Sequence, residues 1–151
     1  MTHPLDCIPR RRLPVNKRPD ELAPCGVFCG ACPSYGKTCL GCPSENRAQK
    51  RTSKWTCKIR CCCYDTMKKD YCIECGRFPC EKIKKKLFDS HPEDPRFKYR
   101  HEIPVLFSGL KEIGTDAYIA FQKNRWRCPY CDGIVVFYHY RCNKCGKYVF
   151  I

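Results

Sequence analysis

A small, metal-stabilised α+β fold is predicted by three features of the sequence. Seventeen of the 151 residues are cysteine, and twelve of these crowd between positions 25 and 80. Two Cys-x2-Cys pairs, Cys128/Cys131 and Cys142/Cys145, stand ten residues apart near the end of the chain. Between the two regions lies the main stretch of helix-period apolar residues. Together these predict an irregular multi-cysteine knuckle domain, short helices and a C-terminal β-hairpin zinc ribbon. Composition divides the chain into a basic, proline-rich arm (1–24), a cysteine-rich metal-binding domain (25–88), a helical segment (89–127) and the ribbon (128–151).

Cysteine at this density means either a disulfide scaffold or a set of metal sites. Residues 1–24 hold no apolar run of the signal-peptide kind, and no stretch reaches membrane-spanning length. A cytoplasmic location is therefore expected, where thiols stay reduced and free to bind metal, with no membrane partner. The formal charge is +14. Metal-bound cysteines are thiolates, so a zinc site with four of them carries a net −2, and four such sites would leave about +6. Basic surface then survives mainly in the arm and the middle segment.

The arm has proline at 4, 9, 14, 19 and 24 and the run Arg10-Arg11-Arg12, followed by Lys17 and Arg18. With little to bury, it reads as an extended segment able to meet phosphates. Residues 25–80 carry few long aliphatics, so metal bonds are expected to hold them together. The expected ligands are Cys25, Cys29, Cys32, Cys39, Cys42, Cys57, Cys61, Cys62, Cys72, Cys75 and Cys80. Adjacent Cys61, Cys62 and Cys63 are not all expected to face one ion. Three four-coordinate sites, or two with spare buried cysteines, both fit the count, and spacing does not say which cysteine joins which site. Several zinc ions, or a [4Fe–4S] cluster in this N-terminal region, satisfy the same thiols.

The ribbon is the most specific pattern. Each Cys-x2-Cys turn offers two sulfurs to one ion, and the intervening residues can form a hairpin that brings the pairs together. Cys128, Cys131, Cys142 and Cys145 then make a closed tetrahedral site with no position for substrate. A rubredoxin-like iron site uses similar knuckles and stays open as an alternative. Strands are expected over 134–138 and 148–151. None of His3, His91, His101 and His139 stands at ligand spacing from an incomplete cysteine set.

The helical readings are simpler. Ile83, Leu87 and Phe88 fall on one face of a lysine-rich helix. Ile103, Leu106, Phe107, Leu110 and Ile113 predict a helix with Pro104 in its first turn and Gly114 at its end. Thr115 or Asp116 is expected to cap another helix through Tyr118, Ile119 and Phe121.

The order LAPCGVFCGACPSY (22–35), CLGC (39–42), CKIRCC (57–62) and YCIECGRFPCEKIKK (71–85) resembles a prokaryotic cysteine-rich family of unknown function. That family opens on CGxxCGxCP and closes on CxxC…FPCE. The resemblance covers about residues 22–88 and implies metal binding, with no implied activity. The triplet Cys61-Cys62-Cys63 and the basic arm depart from the pattern. Cys25-x3-Cys29-x2-Cys32 also matches the signature of radical S-adenosylmethionine enzymes, but those place it in a large α/β barrel for which this chain is too short.

Two functions follow as expectations. One is a module facing RNA or the ribosome, with arm cations on phosphates and the aromatics Tyr130, Phe137, Tyr138 and Tyr140 stacking on bases. The other is an iron–sulfur protein for electron transfer or cofactor maturation. A protein partner and the oligomeric state are left open. No nucleophile–base pair, carboxylate pair or phosphate-cradling loop marks a catalytic set.

Overall fold

The computed structural model describes residues 18–151. Arg10, Arg11, Arg12 and Lys17 lie outside the described residues. Short helices and knuckle turns surround one apolar core, with a two-stranded hairpin near the end of the chain.

The N-terminal half is built from turns. A 3-10 turn, Cys29–Ala31, and another, Cys72–Glu74, each form the bend of a Cys-x2-Cys knuckle. Helix α1 (Lys58–Cys61) runs on through a wider π turn, Cys62–Thr66. Helix α2 (Glu81–Lys84) continues likewise through Lys85–Asp89. Its inner face is the expected one, with Ile83 and Leu87 fully buried.

Helix α3 spans Lys98–Phe107, so it begins five residues earlier than the apolar period suggests. The cause is local. The Asp94 carboxylate accepts from the Arg96 N–H at 3.0 Å, starting a 3-10 turn, Pro95–Phe97, that feeds straight into the helix. Pro104 therefore lies inside α3 rather than in its first turn. Lacking an N–H, it leaves the Arg100 carbonyl without its helical partner. A short α4 (Leu110–Ile113) follows, and Gly114, at φ 84°, ends it as expected. Helix α5 (Thr115–Arg125) starts directly after Gly114 with no side-chain cap, so neither Thr115 nor Asp116 caps it.

Strands β1 (Val135–Val136) and β2 (Arg141–Cys142) pair antiparallel, with Val135 opposite Cys142. They are shorter than the expected runs; Tyr148 adds a single bridge to Arg141. The strand pair ends at a turn in which Tyr138 and Tyr140 take left-handed φ values of 71° and 52°.

The core is one continuous cluster. Leu22, Ile83, Leu87, Phe107, Tyr118, Val135 and Phe137 are its most enclosed members. Phe137 stacks on Tyr99 with ring centroids 4.0 Å apart, and its N–H bonds the Ala31 carbonyl at 3.0 Å. Ribbon, helices and knuckles thus share apolar contacts. Phe121 and Ile113, expected inside, are 42% and 51% exposed. Gln122 takes the inner place on α5, where its amide accepts from the Trp126 indole N–H and donates to the Tyr118 hydroxyl. Among the described residues, no helix is long and apolar enough to cross a membrane.

Candidate metal centres

The ribbon brings Cys128, Cys131, Cys142 and Cys145 together, all four sulfurs lying within 4.8 Å of one another. Cys128 and Cys145 approach to 3.7 Å, and Cys131 and Cys142 to 3.4 Å. Four thiolates about 2.3 Å from one tetrahedral ion would stand about 3.8 Å apart, so the set matches a single ion. Among the described residues it is the one group of three or more Cys, His, Asp or Glu drawn this close.

Backbone geometry holds the sulfurs. The Tyr130 N–H donates to Cys128 Sγ at 3.4 Å, Gly133 N–H to Cys131 Sγ at 3.3 Å, and Lys144 N–H to Cys142 Sγ at 3.3 Å. Such donors stabilise thiolate charge and orient the ligands. Gly133 is required by space: a Cβ there would lie 2.5 Å from Cys142 Sγ and 2.7 Å from Lys144 Cβ. An ion pair between Lys144 and Asp132 ties the two knuckles from outside. Burial pushes the Cys142 thiol up, but the N–H donors of Cys145 and Lys144 and the neighbouring thiols outweigh it and bring it down to about 6. Cys131 accepts from the Gly133 N–H yet moves up to about 11, because burial and the adjacent thiols favour its proton.

The other cysteines sort into two groups. Cys25, Cys29, Cys32, Cys39 and Cys42 line a cavity of about 90 Å³. Gly41, at φ 97°, lets the Cys39–Cys42 turn press against the backbone of Asp20, where a Cβ would meet the carbonyl oxygen at 2.0 Å. Cys57 lies at the edge of this group, its sulfur 3.9 Å from Lys86 Nζ. A second, apolar cavity of about 40 Å³ is lined by Cys62, Cys63, Cys72, Cys75 and Cys80.

The triplet is thereby divided. Successive residues of a helical turn point about 100° apart, so three neighbours cannot share one target. Cys62 and Cys63 face the second cavity. Cys61 turns away, 3.9 Å from the Trp55 carbonyl oxygen, and is disulfide-bonded, which corrects the expectation that it ligates metal as a thiolate. Cys63 is the ligand candidate that the sequence reading left out. It is buried, lines the same cavity as Cys72, and its sulfur lies 3.4 Å from the Lys69 carbonyl oxygen. Its only sequence signal is membership of the triplet.

The expected nucleic-acid contacts are partly rearranged. Arg18 donates to the Asp70 carboxylate at 2.7 Å and lies over the Tyr64 ring at 4.0 Å, so it is engaged within the fold. Phe137 and Tyr140 are buried against Tyr99 and Trp126 and are not free to stack on bases. Tyr138 is half-buried, and its hydroxyl meets that of Tyr99 at 3.1 Å. Tyr130 alone of the four is well exposed, at 62%. His91 and His101 stack on Phe97 and Phe88, as packing histidines do.

Fold and site together define a small cysteine-rich protein with short helices and a C-terminal four-thiol hairpin able to hold one metal ion. In comparisons with protein-family models, curated proteins and solved structures, nothing matches the chain.

Proposed function

We propose that this protein is a zinc-ribbon binding module that engages single-stranded RNA, free or ribosomal, through the outer face of its ribbon. The observation that carries the reading is a groove of about 230 Å³ whose lining includes Arg96, Lys98, His139, Tyr148 and Phe150. Tyr148 and Phe150 are 57% and 78% exposed, which leaves both rings open to contact from outside. Lys98 Nζ sits 4.3 Å from the Phe150 ring centroid. Elsewhere on the ribbon, Lys147 Nζ covers the exposed Tyr130 ring at 4.5 Å. Exposed rings beside cations suit stacked bases and a phosphate backbone.

Zinc has a structural part in this reading. A closed four-thiolate site does no chemistry itself, but it fixes the knuckles and the hairpin from which Tyr130 and Tyr148 project. The motif resemblance over residues 22–88 adds an expectation of metal binding and belongs to the same proposal.

Titration of a fluorescent single-stranded RNA with the zinc-loaded protein tests it. Base stacking contributes about 1–3 kcal/mol per ring, so Tyr148→Ala with Phe150→Ala should weaken binding at least tenfold. Affinity should also fall with salt, with a log–log slope of about −0.7 per phosphate contact. Absence of affinity at physiological salt, or affinity indifferent to both rings, contradicts the proposal.

A further inference from the structure

We propose that the cavity between Cys25, Cys29, Cys32, Cys39 and Cys42 is the seat of an iron–sulfur cluster of the four-iron class, separate from the ribbon's single ion. Three observations carry this.

The first is spacing. One structure contains both arrangements: in the ribbon four sulfurs close to within 4.8 Å of one another, and among the described residues no other three do. Ligands of a single tetrahedral ion must stand about 3.8 Å apart, whereas those on the corners of a cubane stand roughly 6 Å apart. Five thiols line a cavity of about 90 Å³, and no three of them close to the spacing of a single ion.

The second is charge. Arg51, Lys54, Lys86 and Arg100 line the same cavity, and among the described residues no carboxylate does. Lys54 is only 4% exposed, and its ammonium is held by neutral acceptors: the Gly41 carbonyl at 2.6 Å, the Ser44 carbonyl at 2.9 Å and Gln49 Oε1 at 3.0 Å. Lys86 Nζ points at Cys57 Sγ. Among the described residues neither lysine meets a carboxylate at ion-pair distance. A buried cation without an anion is costly, and a cluster on four thiolates supplies net negative charge.

The third is shape. The Cys29–Cys32 turn and the Cys39–Cys42 turn form two knuckles on this one cavity. Arg60, 2% exposed, donates to the Cys42 carbonyl at 2.7 Å and fixes the second knuckle from behind. Five facing thiols are one more than a four-iron cluster takes, and Cys25, carried apart from both knuckles, is the natural surplus or alternative ligand.

The test uses the full chain, purified without oxygen and supplied with sulfide and equal amounts of ferrous and ferric iron, the ratio in the common oxidised cluster. The expected result is iron and acid-labile sulfide in equal amounts, about four or more of each per chain, with absorption near 400 nm. Cys29→Ser with Cys42→Ser leaves three thiols, too few even with Cys25 recruited, and should lose at least about four irons while keeping the ribbon's zinc, which reports that the rest of the chain is folded. Cys145→Ser should do the reverse, lowering zinc and sparing iron. Cys32→Ser with Cys39→Ser provides a second variant should the first fail to fold. Uptake of zinc without sulfide, or iron content unchanged in both double variants, overturns the assignment.

Discussion

Replacing Phe137 and Phe150 by alanine, one at a time, should have opposite consequences. Phe137 is 2% exposed, stacks on Tyr99 at 4.0 Å and meets Trp126 and Tyr138 edge-on at 6.0 and 5.0 Å. Removing a ring so enclosed forfeits its transfer free energy and opens a cavity, for about 3–5 kcal/mol. Three aromatic neighbours place Phe137→Ala toward the upper end of that range. In a chain of this length, 4 kcal/mol corresponds to a fall in Tm of about 8–16 °C. Phe150, 78% exposed, should cost about 0.5 kcal/mol or less, yet weaken RNA binding. Thermal unfolding followed by near-UV circular dichroism, with zinc held constant because bound metal shifts Tm, measures the first effect. Anisotropy of labelled RNA measures the second. A Phe137→Ala protein within about 1 kcal/mol of wild type would refute the claim that the ribbon is docked on the helical core through this ring.

Further expectations concern the ribbon and the cation shell. Gly133→Ala drives a methyl to 2.5 Å from Cys142 Sγ and should lower ribbon metal affinity about 10- to 100-fold, as competition against a chelating dye would show. In metal-free protein, Cys142 should alkylate before Cys131, since their thiols titrate near 6 and 11. A lowered value means thiolate above about pH 6, so Cys142 labelling, read by peptide mass spectrometry, should decline as pH falls through 6. Lys54→Met removes an ammonium that bonds Gly41, Ser44 and Gln49, and should loosen the Cys39–Cys42 knuckle. Faster amide exchange over residues 39–49, with exchange in α5 unchanged, is the expected reading.

The ribbon was the most legible part of the chain, because two Cys-x2-Cys turns at hairpin distance restrict geometry whatever surrounds them. Gly114 was legible for a similar reason: a left-handed φ of 84° suits glycine and ends a helix. The start of α3 was not, since the turn initiated by Asp94 extends the helix beyond its apolar period. Which aromatics are buried was hidden too. Phe137 is covered by Tyr99, nearly forty residues away, and no local pattern separates it from exposed Phe150. Sorting of the N-terminal thiols is likewise a through-space fact. Cys63 and Cys72 line one cavity although eight residues separate them, while Cys61, two positions from Cys63, turns elsewhere. The inward turn of Gln122 reflects its bonds to Tyr118 and Trp126, where the hydrophobic pattern alone favours Phe121.

X-ray absorption at the zinc edge of the full chain tests the central claim, that Cys128, Cys131, Cys142 and Cys145 hold one ion, most directly. The arrangement predicts a shell of about four sulfurs at about 2.3 Å with no nitrogen or oxygen neighbour, and loss of one sulfur or of the zinc itself in Cys145→Ser. A shell containing nitrogen or oxygen in the wild-type protein, or one unaltered by Cys145→Ser, would contradict it.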